Sequence, residues 1–226
     1  MKNPIIVALD VPNAAGARAI VKACGERIGF YKVGMELYAA EGMPFVRELI
    51  AGGKDVFVDL KFYDIPETVK RATAQVAAAG AKLLTVHAAK AVMRAAMEGK
   101  QGTDLRILGV TVLTSFDEGD LADLGYTLKP AELVRHLVAR GVEAGVDGFV
   151  CSPLEVAEVR AMAGPAATLV TPGVRPSGGE AGDQKRVATP AQAMASGATY
   201  LVIGRPITRA ADPAAAAGNL LRELGV

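Results

Sequence analysis

Short apolar, β-branched runs alternate with helix-length segments eight times along this chain, and that alternation admits very few folds. The runs fall at 5–9, 30–33, 55–60, 82–86, 106–111, 149–150, 168–171 and 200–203. Helical periodicity or helix-end signals follow each one. The first helix runs from a cap at Asn13 to 28, and the others cover 36–51, 66–79, 89–99, 130–144, 153–163, 190–196 and 208–224. Strands separated by helices pair in parallel through right-handed crossovers. Eight such units in 226 residues predict an α/β chain folded as one (β/α)8 TIM barrel over residues 1–226. A doubly wound open sheet is the alternative arrangement.

Composition removes several classes of partner. The net charge is +1, which gives no global attraction to nucleic acid or to a membrane surface. There is no tryptophan and 5% aromatic content, poor material for a base-stacking platform. No apolar stretch reaches the length of a membrane span, and the five apolar residues before Asp10 are too few for a secretory leader. Cys24 and Cys151 match no metal-ligand spacing and read as reduced core thiols. The chain is therefore expected in the cytoplasm, with a small-molecule substrate and neither nucleic acid nor membrane as partner.

The densest chemistry lies at 55–68. Val56-Phe57-Val58 reads as a buried strand, and then Asp59, Lys61 and Asp64 arrive within six residues. Side chains two apart on a regular strand share a face, so Asp59 and Lys61 project together while Leu60 points into an apolar layer. Pro66 fits the first turn of the following helix. The same Asp-x-Lys spacing also serves a plain ion pair fastening a strand end. In a barrel, however, chemistry gathers where strands end. The polar residues at those ends are Asp10, Lys32, Asp59, Lys61, His87, Thr114, the loop 172–186 and the pair Gly204-Arg205. Lys32, inside an apolar strand, either snorkels outward or joins the same charged cluster.

The last two loops look built for an anion. The 172–186 loop is long and rich in glycine, as binding loops and lids are. In it Arg175 offers a bidentate fork, and Gln184 offers both a donor and an acceptor, unless it is merely solvated. After the eighth strand, Gly204 and Arg205 precede Pro206. Barrels commonly hold phosphate at these two loops.

At this point the residues resemble a known family. Asp59-Leu-Lys-Phe-Tyr-Asp-Ile-Pro-Glu-Thr68 is similar to the signature of the orotidine 5'-phosphate decarboxylase family. Ala8-Leu-Asp10, Tyr31-Lys-Val-Gly34, Val112-Leu-Thr-Ser115, Thr171-Pro-Gly-Val-Arg175 and Ile203-Gly-Arg-Pro206 follow in the family's order. Glu67 departs from the asparagine that many members carry. The resemblance implies decarboxylation of orotidine 5'-phosphate to UMP, the last step of de novo pyrimidine nucleotide synthesis, with no cofactor and no metal. It implies that Lys61 is the proton donor and that Asp59 and Asp64 complete a charged network with Lys32. It implies ribose contacts for Asp10, Lys32 and Thr68, pyrimidine contacts for Thr114 and Gln184, and phosphate contacts for Arg175, Gly204 and Arg205. It also implies a homodimer with shared sites, in which Asp64 and Thr68 reach into the neighbouring subunit.

Two rival readings keep the barrel. The magnesium-dependent 3-keto-L-gulonate 6-phosphate decarboxylases and hexulose-phosphate synthases share an Asp-x-Lys-x-x-Asp pattern. Arg175, Gln184 and Ile65-Pro66 favour the orotidine reading over them. A non-catalytic UMP-binding barrel would keep the phosphate loops and lose one of the three charges, all of which are present. His87 reads as a structural hydrogen-bonding residue, and Met93 with Met97 as core.

Overall fold

Successive residues of a barrel strand face the lumen and the helices in turn, so a strand covered on both sides must be apolar throughout. The eight runs meet that demand. The computed structural model describes residues 3–175 and 188–226. Its strands are β1 (Ile5–Ala8), β2 (Phe30–Gly34), β3 (Asp55–Phe62), β4 (Leu83–His87), β5 (Arg106–Val110), β6 (Gly148–Val150), β7 (Thr168–Thr171) and β8 (Tyr200–Ile203). They pair in parallel, in sequence order, into a closed barrel. The seam is closed by β1 on β8, with Ile5, Ile6 and Val7 opposite Leu201, Val202 and Ile203.

The two faces pack separately. Ile6, Ala8, Phe30, Phe57, Leu83, Leu108, Val170 and Val202 fill the lumen together. Alternate residues such as Val7, Tyr31, Val33, Val56, Val58 and Val86 join the larger core against the helices. Fully burying side chains of this size stabilises by about 1.5–3 kcal/mol each. Following the lumen face of every strand but β6 to its C-terminal end gives Asp10, Lys32, Asp59, Thr85, Val112, Pro172 and Gly204. The parity that fills the core also delivers the polar residues to one mouth.

The helices are α1 (Ala14–Cys24), α2 (Met35–Ala51), α3 (Pro66–Ala78), α4 (Lys90–Gly99), α5 (Glu118–Asp123), α6 (Pro130–Ala144), α7 (Val156–Ala163), α8 (Pro190–Ala195), α9 (Arg205–Thr208) and α10 (Pro213–Glu223). Asn13 caps α1 as expected, accepting from Gly16 N–H at 3.0 Å, and Pro66 opens α3.

Several boundaries differ from the sequence reading. α1 ends at Cys24, because Gly25 (φ 55°) turns the chain into a short 3-10 segment, Gly25–Arg27. α2 is kinked at Gly42 (φ 62°, ψ −160°), just before Pro44. α7 starts at Val156, since Ser152 and Glu155 first close a turn on each other. The expected closing helix is split into α9 and α10, and Asp212 caps the second part ahead of Pro213. α5 lies in the polar stretch 115–128 between the fifth strand and the 130–144 helix, where the sequence pattern suggests no element. β3 runs to Phe62 rather than 60, with a break in register described below.

Among the described residues no helix is long and apolar enough to cross a membrane. Cys24 and Cys151 are both buried, and neither is in a disulfide. Met93 is fully buried and Met97 packs on the same core.

Candidate active site

Four charges alternate in sign across the mouth of the barrel, one strand end to the next. Asp10 follows β1, Lys32 lies on β2, and Asp59 and Lys61 lie on β3. Lys32 Nζ stands 2.9 Å from Asp10 Oδ1 and 3.4 Å from Asp59 Oδ2. Lys61 Nζ donates to Asp59 Oδ1 at 2.9 Å. Side-chain exposure is 55% at Asp10, 9% at Lys32, 15% at Asp59 and 24% at Lys61. The two middle charges are thus withdrawn from water and the outer two open to the cavity. Lys32 does not snorkel: its stem fills the lumen above Phe30 and its ammonium is clasped by carboxylates.

Burial is the largest influence on both inner groups, and it opposes charge. Their partners overcome it. Asp59 and Asp10 hold Lys32 protonated above the ordinary lysine range. Lys32 and Lys61, with hydrogen bonds from Lys61 and Thr85, keep Asp59 ionised below the ordinary carboxylate range. Thr85, on β4, accepts from the Lys61 N–H at 3.0 Å and donates its own proton to Asp59 Oδ1 at 2.9 Å. His87, at the end of β4, is half-buried and lies against Tyr63, with ring centroids 5.0 Å apart and the planes tilted by 56°. Burial and the Lys61 charge push its pKa down, so the imidazole stays neutral at physiological pH.

A cavity of about 590 Å³ opens above this row, a size suited to a nucleotide-sized ligand. Asp10, Lys32, Asp59, Lys61, Thr114, Arg175, Gly204 and Arg205 all line it. The charged row forms one wall. Val110, Val112, Val150 and Val202 give it an apolar floor, with Arg175 on the loop after β7 and Arg205 at the start of α9 also in its lining. Arg175 is steadied by its own loop: its N–H donates to Ala188 O at 3.0 Å, and Nη1 to Val174 O at 2.9 Å. The cavity therefore offers an ammonium beside a carboxylate, and guanidinium groups as well.

The profile of the Orotidine 5'-phosphate decarboxylase / HUMPS family matches residues 3–220. The chain belongs to this family. It is 49% identical over 223 residues to an orotidine 5'-phosphate decarboxylase of Rhodopseudomonas palustris (strain BisA53), covering 99% of this chain and 95% of that protein. It is 50% identical over 225 residues to the protein of that name from Afipia carboxidovorans, covering 100% and 96%. The crystal structure of orotidine 5'-phosphate decarboxylase from Lactobacillus acidophilus superposes with a TM-score of 0.88 at 34% identity, covering the whole of both chains.

Two of the expected orotidine 5'-phosphate decarboxylase site residues, Asp64 and Thr68, do not line the cavity. Asp64 is exposed beyond β3, and its Oδ1 accepts from the next N–H, that of Ile65, at 2.6 Å. Within one chain Lys61 is therefore paired with Asp59 and not held between two carboxylates. Thr68, on the first turn of α3, is exposed and is not among the residues that line the cavity. Gln184, and with it most of the expected lid, lies outside the described residues.

Sequence reasoning also missed residues. Arg209 lines the cavity one helical turn after Arg205, and that i, i+4 spacing was visible in the sequence. Thr85 was not singled out by the sequence, because its role depends on residues from another strand.

Proposed function

We propose that this chain decarboxylates orotidine 5'-phosphate to UMP, as the final step of de novo pyrimidine nucleotide synthesis, using no cofactor. The observation that carries the reading is the Lys61 ammonium, fixed at 2.9 Å from Asp59 at the cavity wall. Arg175 and Arg205 line the same cavity. The 49–50% identity to proteins of that name over nearly the whole chain supports it.

The chemistry follows from the groups. Breaking the bond between C6 and the carboxylate leaves an electron pair on C6 in the plane of the pyrimidine ring. The ring's π system cannot take that pair up, so the charge must be met electrostatically. A cation held in place before reaction costs no reorganisation when the charge develops. Asp59, kept ionised, holds the Lys61 ammonium aimed. As CO2 departs, Nζ of Lys61 gives a proton to C6, and the amine is reprotonated from solvent. Asp10 and Lys32 bind ribose hydroxyls and Thr114 the pyrimidine, with Gln184 assigned to the base as well. Arg175, Arg205 and the Gly204 N–H hold the phosphate. Binding of that remote phosphate contributes to the barrier at C6 by fixing the ring against Lys61.

The reading includes a homodimer, with Asp64 and Thr68 serving the neighbouring subunit's site. Their exposure supports this, as do Met35, Tyr63 and Ile65, which are 62%, 70% and 67% exposed directly after the site strands; apolar groups left open together mark contact surfaces. Two buried cysteines outside any disulfide support a cytoplasmic location. The whole chain serves as one catalytic unit.

The decisive experiment follows loss of orotidine 5'-phosphate absorbance in EDTA for wild type and Lys61→Ala. Turnover by wild type with loss of many orders of magnitude in the variant is expected. Wild type that is silent until magnesium is added would reject the substrate assignment in favour of a sugar-phosphate reaction.

A further inference from the structure

The β3–β4 seam breaks register at the charged row. Val58 lies opposite Leu84 and Phe62 opposite Val86, so β3 takes four residue steps where β4 takes two. The surplus residues bow out of the ladder as a bulge. Lys61 sits in it at φ 50°, the one non-glycine residue with positive φ among those described. A side chain larger than glycine is strained there, and such strain persists only where neighbouring groups over-determine it.

Thr85 is the neighbour that does so. It lies between Leu84 and Val86, opposite the bulge, and is completely buried. The Lys61 N–H, deprived of a ladder carbonyl, donates to Thr85 Oγ1 at 3.0 Å. The single hydroxyl proton goes to Asp59 Oδ1 at 2.9 Å, the oxygen that also receives the Lys61 ammonium. One hydroxyl therefore ties the backbone of Lys61 to the carboxylate that aims its side chain. Both of its bonds have a fixed direction, because a hydroxyl carries one proton to give and lone pairs to receive. With no exposed surface at Thr85, solvent does not take over either bond.

We propose that Thr85 is a positioning residue for the reaction at Lys61: its hydroxyl sets the bulge and the Asp59 rotamer that together aim the ammonium into the cavity. This rests on the decarboxylase reading above. Thr85 does not line the cavity, so it acts through Asp59 and Lys61 and not on substrate. Its loss spares the arginines and Asp10, which grip the ligand elsewhere. The effect belongs in kcat, with ligand affinity retained.

Thr85→Val and Thr85→Ser separate the hydroxyl from its packing, since valine keeps the branched shape and serine keeps the oxygen. Orotidine 5'-phosphate turnover and UMP binding are measured for both. The expected result is a kcat lower by roughly 10–100-fold in Thr85→Val, the loss that fits a buried bond to a charged group. UMP affinity should stay within about threefold, and Thr85→Ser should recover most of the rate. Should Thr85→Val fail to fold, Thr85→Ala carries the same comparison against Thr85→Ser. A Thr85→Val enzyme as fast as wild type overturns the proposal alone. Equal impairment of the serine and valine variants overturns it too, since packing would then be the cause. A wild-type chain that leaves orotidine 5'-phosphate unchanged overturns this proposal together with the function it rests on.

Discussion

Gly34 stands against the Lys32 ammonium with no room for a side chain: a Cβ there would lie 2.8 Å from Lys32 Nζ and 2.8 Å from Asp10 Oδ1. The backbone at Gly34 (φ −94°, ψ −176°) is open to any residue, so the demand is for space and not for conformation. The obstructing atoms are the far ends of two side chains, one of them flexible. Gly34→Ala is therefore expected to cost little stability and to part the Lys32–Asp10 pair. We expect kcat/KM to fall by about tenfold or more, as misplacement of positioning groups does, with the urea midpoint nearly unchanged. Kinetics with the midpoint alongside test this, and an unaltered kcat/KM would show that the pair tolerates crowding.

Asp59 makes the fold's stability depend on pH in a definite direction. Its carboxyl titrates lower in the folded chain than when free, despite burial, because Lys32 and Lys61 face it. The stabilisation is therefore present above about pH 4, the ordinary carboxylate range, and is lost as pH falls through the folded value. Lys32, held above the lysine range, contributes below about pH 10.4 and loses its share as pH rises through its folded value. Urea midpoints of wild type and Asp59→Asn should differ most near neutrality and converge in acid. A gap that stays constant down to about pH 3 would show that ionisation of Asp59 is not linked to folding.

Arg160 offers a stability test away from the chemistry. From α7 its guanidinium donates to the carbonyls of Gly164, Pro165, Ala167 and Gly197 and to Thr199 Oγ1, at 2.7 to 3.2 Å. These acceptors lie in the loops that enter β7 and β8, at the end of the barrel opposite the cavity. Arg160→Met leaves several carbonyls short of a donor and should cost about 2–4 kcal/mol. Denaturant unfolding reads that loss. Because the site is remote, kcat/KM should hold, and a matching collapse of activity in a still-folded variant would contradict the separation of the two ends.

Shared sites predict complementation. Lys61→Ala and Asp64→Ala should each be inactive alone. In a mixed dimer one site carries both substitutions and the other carries neither. An equal mixture, refolded together, should regain about a quarter of the wild-type rate, since half the dimers are mixed and each holds one intact site. No recovery in a mixture shown to contain mixed dimers would put Asp64 in its own subunit's site.

The fold was legible because parallel strands covered on both faces need uninterrupted apolar runs, and eight of these stand out at 5–9 through 200–203. The charged row was legible for a related reason: Asp10, Lys32 and Asp59 extend the lumen parity of Ala8, Phe30 and Phe57. Lys61 reached the expected neighbour by an unexpected path. Strict alternation put it beside Asp59 on a straight strand, whereas a bulge supported from β4 puts it there. Periodicity within β3 holds no information about Thr85. α5 was missed because Leu121 is its one buried residue, too little for a periodic signal. The reciprocal cap between Asp117 and Asp120 was the mark that announced it. Asp64 was assigned to the neighbouring subunit's site by the family resemblance, and within its own chain the turn after Phe62 leaves it exposed with Oδ1 on the Ile65 N–H.

The seam between β1 and β8 has a consequence for how the chain reports on itself. Asp10 follows the first strand and Arg205 the last, and they share a cavity only because Ile5–Ala8 is zipped to Tyr200–Ile203. A chain whose eighth strand has not yet been made has no such receptacle, whatever Asp59, Lys61 and Thr85 are doing. A ligand that touches both arginine and aspartate walls recognises the finished ring and nothing earlier, so by mass action it draws the population toward closure. UMP affinity is then a gauge of whether the ring has shut, readable in any variant before its catalysis is measured.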